Sequence, residues 1–490
     1  MSDIKFDFNN MLSSNIGRAH GVSAAELAGI SKAVKSAHKH LRGILADPVS
    51  RIRLGLEWAM LPFQDEKFIN EIQALGDEIA FKYENVLSLG IGGSYLGLKA
   101  AQEALRPPYF NEFSSLRQKR AKIYFEGNNL DPTSLNVLLK NLDPVKTFVV
   151  VISKSGETTE TRSVFDVVEK WLRDGVGDGF GRQILAITDP RSGSLRKRVD
   201  AEQKKDALSF RNLSLLPGVG GRYSELNMGL LHLAIIGANI ADVLAGAQDM
   251  ATRCGKPDLL KNPAYFYASL HFIAYKKKGK SIAIFMPFTE LLKSTADWYC
   301  QLLAESTGKK FGRKIKVLSG GGEAWEFDAR RVLGVGRTPV PARGTTDLHS
   351  IQQNNVEGEN NKVVTMMRVE SFKDDLQIPV TNGILSGKSF CELLKLAQEA
   401  TEWALTANNR PNCTVTLSQI TPKIWGGLIY FFEMATAFEG ELLGINAFDQ
   451  PGVESYKNYM YFKLGKPGLS PQIAAEIKKH PIKKNPKFII

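Results

Sequence analysis

The sequence predicts an α/β protein with two domains built on mainly parallel sheets and with helical segments at both ends. Short apolar runs alternate along the chain with stretches of helical periodicity, which is typical of parallel sheets covered by helices. The chain has 490 residues, more than one ordinary hydrophobic core accommodates. Its composition, 43% hydrophobic and 23% charged, is that of a soluble globular protein.

Four parts are predicted, which are in chain order residues 1–60 (helical), 61–250 (first α/β domain), 251–445 (second α/β domain) and 446–490 (helical, with a basic tail). The first part has amphipathic periodicity. Its candidate core residues are Leu41, Ile44, Leu45, Ile52, Leu54 and Leu56.

The first domain opens with the strand Val86–Leu89, a glycine-rich loop and the helix Leu98–Leu105. Tyr95 stands where a dinucleotide-binding fingerprint needs its third glycine, and the lysine–hydroxyl pair of a P-loop is absent. The loop instead allows a ligand to approach the backbone closely at Gly93, with Ser94 as a hydroxyl donor.

A hydroxyl-rich segment follows the strand Thr147–Ile152 and opens a helix. Its polar residues are Ser153, Lys154, Ser155, Thr158 and Thr159, and the apolar face of the helix is predicted to contain Val164, Val167, Val168 and Trp171. The first N–H groups of a helix lack partners and carry partial positive charge, so this segment can bind a phosphate monoester. The alternative is that the hydroxyls only cap the helix.

The two loops are expected to leave the same edge of one sheet. Further strands are predicted at Lys122–Phe125 and Gln183–Thr188, which makes the sheet parallel. Ligands of such sheets bind beyond the carboxyl ends of the strands. We therefore expect the Gly90–Ser94 and Ser153–Thr158 loops to face one ligand.

Two further features close the first domain. Arg222 follows the glycine-rich stretch Gly218–Gly221 and either places its planar guanidinium against an oxyanion or is a surface arginine in a flexible turn. The apolar stretch Met228–Ala247 contains polar residues such as Asn239, so we predict a buried helix rather than a membrane span.

The second domain begins with the strand Ser281–Phe285 and the helix Glu290–Glu305. Glu305 falls in the last helical turn, where the dipole disfavours a carboxylate, so it is either a base with a raised pKa or a solvated charge. The remaining predicted elements are the strands Ile315–Leu318 and Val363–Val369 and the helices Ser389–Ala407 and Ile424–Leu443.

Two basic residues stand out in the last third of the chain. His349 lies in a polar, glycine-punctuated segment in which Asp347 is a candidate to orient it; the alternative is a structural histidine. Pro451 suits the first turn of a C-terminal helix that carries Lys457.

Composition excludes several kinds of function. The four cysteines are widely spaced and no Cys/His ligand cluster exists, so we expect neither a structural zinc site nor a disulfide scaffold, and a reducing compartment. Because the nucleotide-binding motifs also fail, no metal and no other cofactor is expected. The N-terminus lacks the pattern of a signal peptide, which predicts a cytoplasmic protein without membrane association. The formal charge of +12 is not accompanied by aromatic and basic interleaving, so no nucleic-acid partner is expected.

Five segments, in order, resemble motifs of the phosphoglucose isomerase (glucose-6-phosphate isomerase) family. They are GIGGS (Gly90–Ser94), SKSGETTET (Ser153–Thr161), GVGGR (Gly218–Arg222), ESTGK (Glu305–Lys309) and FDQPGVESYK (Phe448–Lys457), with TTDLHS (Thr345–Ser350) as a looser sixth match. The resemblance implies two sugar-isomerase (SIS) domains of α/β/α sandwich architecture and a homodimer with its active sites at the subunit interface.

The resemblance also implies residue roles. Glu305 is the expected catalytic base, and Arg222 is expected to stabilise the intermediate. His349 and Lys457 are the expected ring-opening pair, with His349 supplied by the other subunit. The expected substrate-binding residues are Gly93, Ser94, Ser153, Lys154, Ser155, Thr158, Gln301 and Gln450.

This chain departs from the family pattern in three places. Leu348 stands where Gln is common, Glu157 stands where Thr is usual, and the SELNMG stretch Ser224–Gly229 replaces an apolar continuation. We expect these departures to alter affinity and the surroundings of the site rather than the type of reaction.

The implied reaction is the reversible interconversion of glucose 6-phosphate and fructose 6-phosphate in glycolysis and gluconeogenesis. It proceeds by ring opening and by proton transfer through a cis-enediol or enediolate. Two alternatives are a non-catalytic sugar-phosphate sensor and an isomerase that also accepts mannose 6-phosphate. The four catalytic candidates favour the enzyme over the sensor, because a sensor needs no base.

Overall fold

The fold is described from a computed structural model of residues 3–490; residues 1 and 2, where the predicted N-terminal part begins, lie outside the described residues. The chain divides into two compact units, of which the first extends to Ala447 and the second comprises Phe448–Ile490. Within the described residues, every helix is too short or too polar to span a lipid bilayer. The predicted domain limits at residues 60, 250 and 445 remain predictions.

Twelve β-strands are found in residues 3–490: β1 (Ile4–Asp7), β2 (Asn85–Leu89), β3 (Lys122–Glu126), β4 (Thr147–Ile152), β5 (Ile184–Thr188), β6 (Arg211–Ser214), β7 (Ile282–Pro287), β8 (Lys309–Val317), β9 (Glu323–Val335), β10 (Thr338–Pro341), β11 (Lys362–Val369) and β12 (Asn412–Leu417).

The α-helices of the first unit are α1 (Ser13–Ile16), α2 (Ala24–Gly29), α3 (Ser31–Ala46), α4 (Pro48–Leu54), α5 (Glu66–Lys82), α6 (Leu96–Leu105), α7 (Ser114–Arg117), α8 (Pro132–Asn141), α9 (Thr159–Val176), α10 (Ser194–Gln203), α11 (Gly229–Ile235), α12 (Ile240–Cys254), α13 (Pro263–Lys278), α14 (Lys293–Thr307), α15 (Gln352–Val356), α16 (Phe390–Ala407) and α17 (Pro422–Leu443). Those of the second unit are α18 (Pro451–Lys463) and α19 (Pro471–Lys479).

The first sheet has five parallel strands in the order β3-β2-β4-β5-β6. Its central strands β2, β4 and β5 are buried along their whole length. Helix α9 packs against Leu87 and Val149 on one face, whereas His232 of α11 hydrogen-bonds Ser88 on the other at 2.7 Å. Burial on both faces explains why these strands are continuous apolar runs in the sequence, and the α/β prediction is confirmed.

The second sheet has the order β1-β12-β11-β7-β10, in which β1 is antiparallel and the other strands are parallel. The prediction of a wholly helical N-terminal part is therefore wrong at Ile4–Asp7. This segment pairs with β12 from Leu417 to Thr414, and burial of Ile4 fixes it at the sheet edge.

The predicted strand Ile315–Leu318 belongs to an antiparallel hairpin of β8 and β9, outside both larger sheets. Gly321 and Gly322 connect the two strands with φ values of 84° and 82°, which glycine adopts at little cost. The sequence did not predict β9, because most of its residues are exposed or half-buried and charged residues interrupt the apolar ones over most of its length.

The stretch Met228–Ala247 is not one helix but parts of two, α11 and α12. Gly237 ends the first helix region with a φ of 79°. Asn239 caps the second by accepting hydrogen bonds from the N–H groups of Ala241 and Asp242. Apolar residues continue across the break because α11 and the start of α12 are both buried, so the pattern alone does not reveal the break.

Two predicted core residues are exposed. Val167 is 50% exposed, because the apolar face of α9 is centred on Val164, Phe165 and Val168. Ile52 of α4 is 42% exposed, whereas the other five N-terminal candidates are buried.

Candidate active site

The glycine-rich loop leaves the carboxyl end of β2 and forms one 3-10 turn, Gly92–Ser94, before α6. A Cβ atom on Gly93 would lie 2.0 Å from the carbonyl oxygen of Gly221, so glycine is required for contact with the loop that carries Arg222. A Cβ atom on Gly92 would lie 2.9 Å from Nε2 of Gln301, so the same loop also contacts α14.

The hydroxyl-rich segment that connects β4 to α9 is held by its own side chains. Ser153 Oγ accepts a hydrogen bond from the Gly156 N–H at 3.0 Å, and Ser155 Oγ accepts one from the Glu157 N–H at 3.1 Å. Thr158 is the N-cap residue of α9 but makes no side-chain capping bond. The two serine hydroxyls act only as acceptors here, so their O–H groups remain available to donate to an anion.

Lys154 is exposed on the same turn. Its backbone carbonyl accepts hydrogen bonds from Thr188 Oγ1 at 3.2 Å and from the Asp189 N–H at 3.3 Å, which fixes the turn to the end of β5. The hydrogen bond from the Arg191 N–H, with a smaller contribution from the Lys154 charge, lowers the pKa of Asp189. The Lys154 ammonium therefore lies near an ionised carboxylate as well as near the hydroxyl groups.

The two loops leave the sheet side by side. β2 and β4 are parallel neighbours, with Leu89 opposite Val151. Adjacent strands are about 4.8 Å apart, so the chain enters the Gly90–Ser94 loop and the Ser153–Thr158 loop at the same edge. The expectation of a shared edge is confirmed; the binding of one ligand by both loops remains a prediction.

Arg222 lies in a single 3-10 turn and is only 3% exposed. Its Nη1 lies 3.2 Å from Glu305 Oε2, its Nε donates to Ser306 Oγ at 2.9 Å, and its Nη2 donates to the Ala447 carbonyl at 2.7 Å. Arg222 is therefore held in one orientation, and the alternative of a surface arginine in a flexible turn is excluded.

Glu305 lies in the last turn of α14, as predicted, and its side chain is 29% exposed. Both carboxylate oxygens have donors, since Arg222 contacts Oε2 and Gln301 Nε2 donates to Oε1 at 3.1 Å. Lys309 Nζ donates to the Glu305 carbonyl and satisfies part of the helix end. Glu305 is thus an oriented carboxylate rather than a fully solvated charge.

Within residues 3–490, Arg222 and Gln301 donate to the Glu305 carboxylate, and His349 is not among its hydrogen-bond partners. His349 is exposed in a turn that follows the carboxyl end of β10. Glu305 lies near the opposite end of this strand, because Gly308, just after α14, packs against Gly336, just before β10. The two side chains therefore belong to segments at opposite ends of β10.

Asp347 does not orient His349. Its carboxylate accepts hydrogen bonds from the Arg343 N–H at 2.7 Å and from Ser350 Oγ at 2.8 Å, which stabilises the turn itself. Leu348, which replaces the glutamine common in the family, packs against the apolar cluster at the carboxyl end of the second sheet. This turn is therefore fixed by packing and by its own hydrogen bonds.

Gln450 and Lys457 lie in the second unit. Gln450 is the N-cap residue of α18, and Pro451 occupies the first turn as predicted. Lys457 Nζ donates to Glu454 Oε1 at 2.9 Å. Burial opposes the charge of Lys457, but the Glu454 carboxylate outweighs it, and the pKa of Lys457 is raised.

The additional carboxylate of Glu157 is turned toward α9. It lies 3.4 Å from Arg162, one turn into the helix, and both side chains are partly exposed. The pairing offsets part of the negative charge that Glu157 adds near the hydroxyl groups. Because the pair is partly exposed, the neutralisation is incomplete and depends on salt.

Sequence reasoning missed several residues of the site. Ser306 and Lys309 lie inside the ESTGK motif, and their proximity to Glu305 was the available signal. Glu225, three residues after Arg222, is buried, and its Oε1 accepts a hydrogen bond from Trp298 Nε1 at 2.8 Å. Its only signal was the departure from the apolar family pattern.

Comparison with known proteins gives a consistent result. The sequence model of the phosphoglucose isomerases matches residues 65–324 and 378–468. These ranges include Arg222, Glu305 and Lys457, whereas His349 lies outside them.

The chain is 37% identical to the glucose-6-phosphate isomerase of Carboxydothermus hydrogenoformans, over 99% of either chain. It is 33% identical to that of Acetivibrio thermocellus, over 96% of this chain and 98% of the relative. Among solved structures, a hypothetical protein of Thermus thermophilus superposes with a TM-score of 0.77 at 29% identity, covering 94% of this chain and 99% of the other. The glucose-6-phosphate isomerase of Chlamydia trachomatis has the same fold, with a TM-score of 0.69 at 23% identity over 86% and 80% of the two chains.

Proposed function

The chain belongs to the phosphoglucose isomerase family, and from this premise we propose how its residues perform the reaction. It is an aldose–ketose isomerase that interconverts glucose 6-phosphate and fructose 6-phosphate. The observation that carries the residue assignment is the 3.2 Å contact between Arg222 and Glu305, placed beside the glycine-rich loop.

The phosphate group anchors the substrate and does not react. Ser153, Ser155 and Thr158 donate to it, Ser94 contributes from the neighbouring loop, and Lys154 adds a positive charge. The backbone at Gly93 allows the sugar to approach closely, and Gln301 and Gln450 contact its hydroxyl groups. Binding energy from the phosphate then serves to orient the reacting carbons at Glu305.

Ring opening precedes the isomerisation. The ring oxygen must gain a proton, and the hydroxyl group on C1 must lose one, which yields the open-chain aldehyde. His349 and Lys457 supply this acid–base pair. The raised pKa of Lys457 keeps its ammonium group protonated near neutral pH.

Proton transfer follows at C1 and C2. Glu305 removes the C2 proton, the C–H electron pair forms the C1–C2 double bond, and the carbonyl electrons move to O1 as an enediolate. Arg222 stabilises this negative charge. The O2 proton then moves to O1 and Glu305 returns its proton to C1, which leaves the ketose.

The ion pair of Arg222 and Glu305 suits the order in which charges form during the proton transfer. When Glu305 takes up the proton it becomes neutral, and its attraction for Arg222 weakens. The negative charge arises at the same moment on the sugar oxygen, so the fixed guanidinium has a new partner without leaving Ser306 and Ala447.

Assay of the purified protein in deuterated water tests the proposal. Product and recovered substrate should gain deuterium at the transferred position, because a proton held by Glu305 exchanges with solvent. Glu305→Gln should lower kcat by about three orders of magnitude or more while sugar-phosphate binding persists. Glu326→Gln, at an exposed carboxylate of β9, is the matched control. Normal turnover of Glu305→Gln would remove this residue from its role.

We also propose a homodimer in which His349 completes the partner's site. The location of His349 and Glu305 in segments at opposite ends of β10 supports this arrangement. Helix α16, which packs beside the His349 segment, exposes Leu396 and Trp403 to 49% and 72%, an apolar surface suited to a second copy of the chain. Analytical ultracentrifugation should give twice the mass of one chain.

A cytoplasmic location and glycolytic use are proposed for the same protein. Cys254, Cys300, Cys391 and Cys413 form no disulfides, in agreement with a reducing compartment. Cell fractionation tests the location. Assay with mannose 6-phosphate beside glucose 6-phosphate tests whether the site tolerates the opposite configuration at C2.

A further inference from the structure

A carboxyl group is buried directly behind the Arg222–Glu305 pair. Glu225 is 2% exposed, and its Oε1 accepts a hydrogen bond from Trp298 Nε1 at 2.8 Å. A Cβ atom on Gly97 would lie 2.4 Å from Glu225 Cγ, so this glycine makes room for the side chain beside α6. The carboxyl group is therefore enclosed between α6 and α14.

A second buried carboxyl group faces the first. Glu433 of α17 is also 2% exposed and interacts with Glu225 by charge and by a hydrogen bond. Glu225 Oε2 is buried, and no N–H or hydroxyl group within residues 3–490 donates to it. A hydrogen bond between two carboxyl groups requires a proton on one of them, because two carboxylates only accept.

The surroundings disfavour two negative charges. Burial raises the pKa of both carboxyl groups, and the charge of Glu225 raises that of Glu433 further. The titratable groups near the pair are Tyr223 on its own segment and Tyr430 on α17, both neutral because burial raises their pKa. From α14 the group that faces the pair is the Trp298 indole. The charge of Arg222 acts on Tyr223. The hydrogen bonds that Arg222 donates go to Glu305, Ser306 and Ala447.

The pair joins the three elements that hold the catalytic residues. Glu225 follows Arg222 by three residues, and Trp298 precedes Glu305 by two turns on the same face of α14. Helix α17 carries Glu433 and leads to Ala447, whose carbonyl accepts from Arg222. A displacement of Glu225 or Glu433 is thus transmitted to both Arg222 and Glu305.

We propose that Glu225 and Glu433 share one proton and that this hydrogen-bonded carboxyl pair positions Arg222 and Glu305 for proton transfer. The inference rests on the proposed roles of Arg222 and Glu305. Above the pH at which the shared proton is released to solvent, two negative charges lie in buried contact. Their repulsion separates α17 from the segment that carries Arg222, and kcat falls.

Glutamine substitutions test the shared proton. In Glu225→Gln or Glu433→Gln, an amide donates to the remaining carboxylate, which reproduces the half-protonated pair but cannot lose a further proton. We expect the alkaline limb of the kcat profile to move to higher pH by at least about one unit in each variant. When the pH is raised from neutral to alkaline, the infrared spectrum of the wild type should lose one band of a protonated carboxyl group. This loss should be absent in both glutamine variants.

Comparison with a truncation separates positioning from substrate binding. Glu225→Ala should lower kcat about tenfold or more with less than about a threefold change in KM, because the phosphate loops are untouched. Glu225→Gln should recover most of this loss. Glu402→Gln, a half-buried carboxyl group with a raised pKa near Asn10, is the control and should leave the alkaline limb in place.

Two outcomes would overturn the inference. One is that the kcat profiles of both glutamine variants superimpose on that of the wild type; the other is that the infrared change persists in them. If Glu225→Ala does not fold, the glutamine variants still decide. An absence of isomerase activity in the wild type would contradict the proposed function instead, while the infrared measurement would still report on the pair.

Discussion

The carboxylate of Glu305 lies 3.2 Å from the guanidinium of Arg222, although 83 residues separate them in the chain. Arg222 is buried and donates in addition to Ser306 Oγ and to the Ala447 carbonyl. The proposed base is thus positioned by a cation whose own position is fixed from two other directions. This arrangement makes the geometry of Arg222 as important as its charge.

Substitution of Arg222 by lysine tests that geometry. Lysine keeps the charge, but its single ammonium nitrogen cannot replace the three planar nitrogens with which Arg222 donates. We therefore expect kcat to fall about 100- to 1,000-fold, the range for loss of a preorganised oxyanion donor. KM should change much less, because the proposed phosphate-binding residues lie in other loops. Steady-state kinetics measures both. Arg211→Lys, at the surface pair with Glu78, is the control; an Arg222→Lys enzyme within threefold of wild-type kcat would contradict the assignment.

Gly93→Ala should damage the site without adding or removing a charge. The new Cβ atom would lie 2.0 Å from the carbonyl oxygen of Gly221 and 2.6 Å from the backbone nitrogen of Arg222, so one of the two loops must move. We expect a loss of about 2 kcal/mol in the free energy of unfolding and at least about a tenfold fall in kcat. Gly220→Ala in the same region is the matched control, since its Cβ would meet nothing within 4 Å. Equal effects of the two substitutions would exclude a steric cause.

The sequence predicted those parts of the fold and site that depend on local pattern. The buried strand β4 followed by hydroxyls, and Glu305 in the last turn of α14, are of this kind. The break at Gly237 was missed because burial keeps both sides apolar, and β9 was missed because it lies at the surface. The contact of Gly93 with Gly221 is non-local, and no periodicity reports it.

Glu157→Thr should strengthen substrate binding. Glu157 lies in the Ser153–Thr158 loop that we propose binds the phosphate, and its removal would leave Arg162 with only the more distant Asp166, at 4.0 Å, as a carboxylate neighbour. We expect KM for the sugar phosphate to fall about two- to fivefold at low ionic strength, with kcat unchanged. Repeating the measurement in 0.5 M salt provides the control, because screening should shrink the difference to nearly nothing at about this ionic strength. A higher KM in the variant would show that Glu157 assists binding.

The stability of the protein should depend on the charge of His40. Hydrogen bonds to Glu441 and Glu323, at 2.7 Å and 3.0 Å, raise the pKa of this histidine against the opposing effect of burial. A raised pKa in the folded state means that the stabilisation is complete below the ordinary histidine pKa of 6.5 and is lost as pH rises through the raised value. His40→Gln should remove this pH dependence and cost about 1.5 kcal/mol in the free energy of unfolding at pH 6.

The neighbouring His38 is the control for that measurement. Burial and then the charge of Arg42 lower the pKa of His38, so its contribution has the opposite sign and increases with pH below 6.5. Chemical denaturation of His40→Gln and of His38→Gln between pH 5 and pH 9 should therefore change the slope of stability against pH in opposite directions. Identical slopes in wild type and His40→Gln would contradict the proposed role of the two carboxylates.

Mixed dimers test whether His349 acts in the partner's site. Glu305→Gln and His349→Ala should each be inactive alone. If the two residues meet across a two-fold interface, each mixed dimer contains one site with both native residues, and equal mixing should restore about a quarter of wild-type activity. If His349 acts in its own chain, every site in the mixture lacks one residue and no activity returns. Co-expression of the two variants with different affinity tags, followed by isolation of the mixed dimer, gives the cleanest measurement. The position of His349, at the end of β10 away from Glu305, leads us to expect recovery.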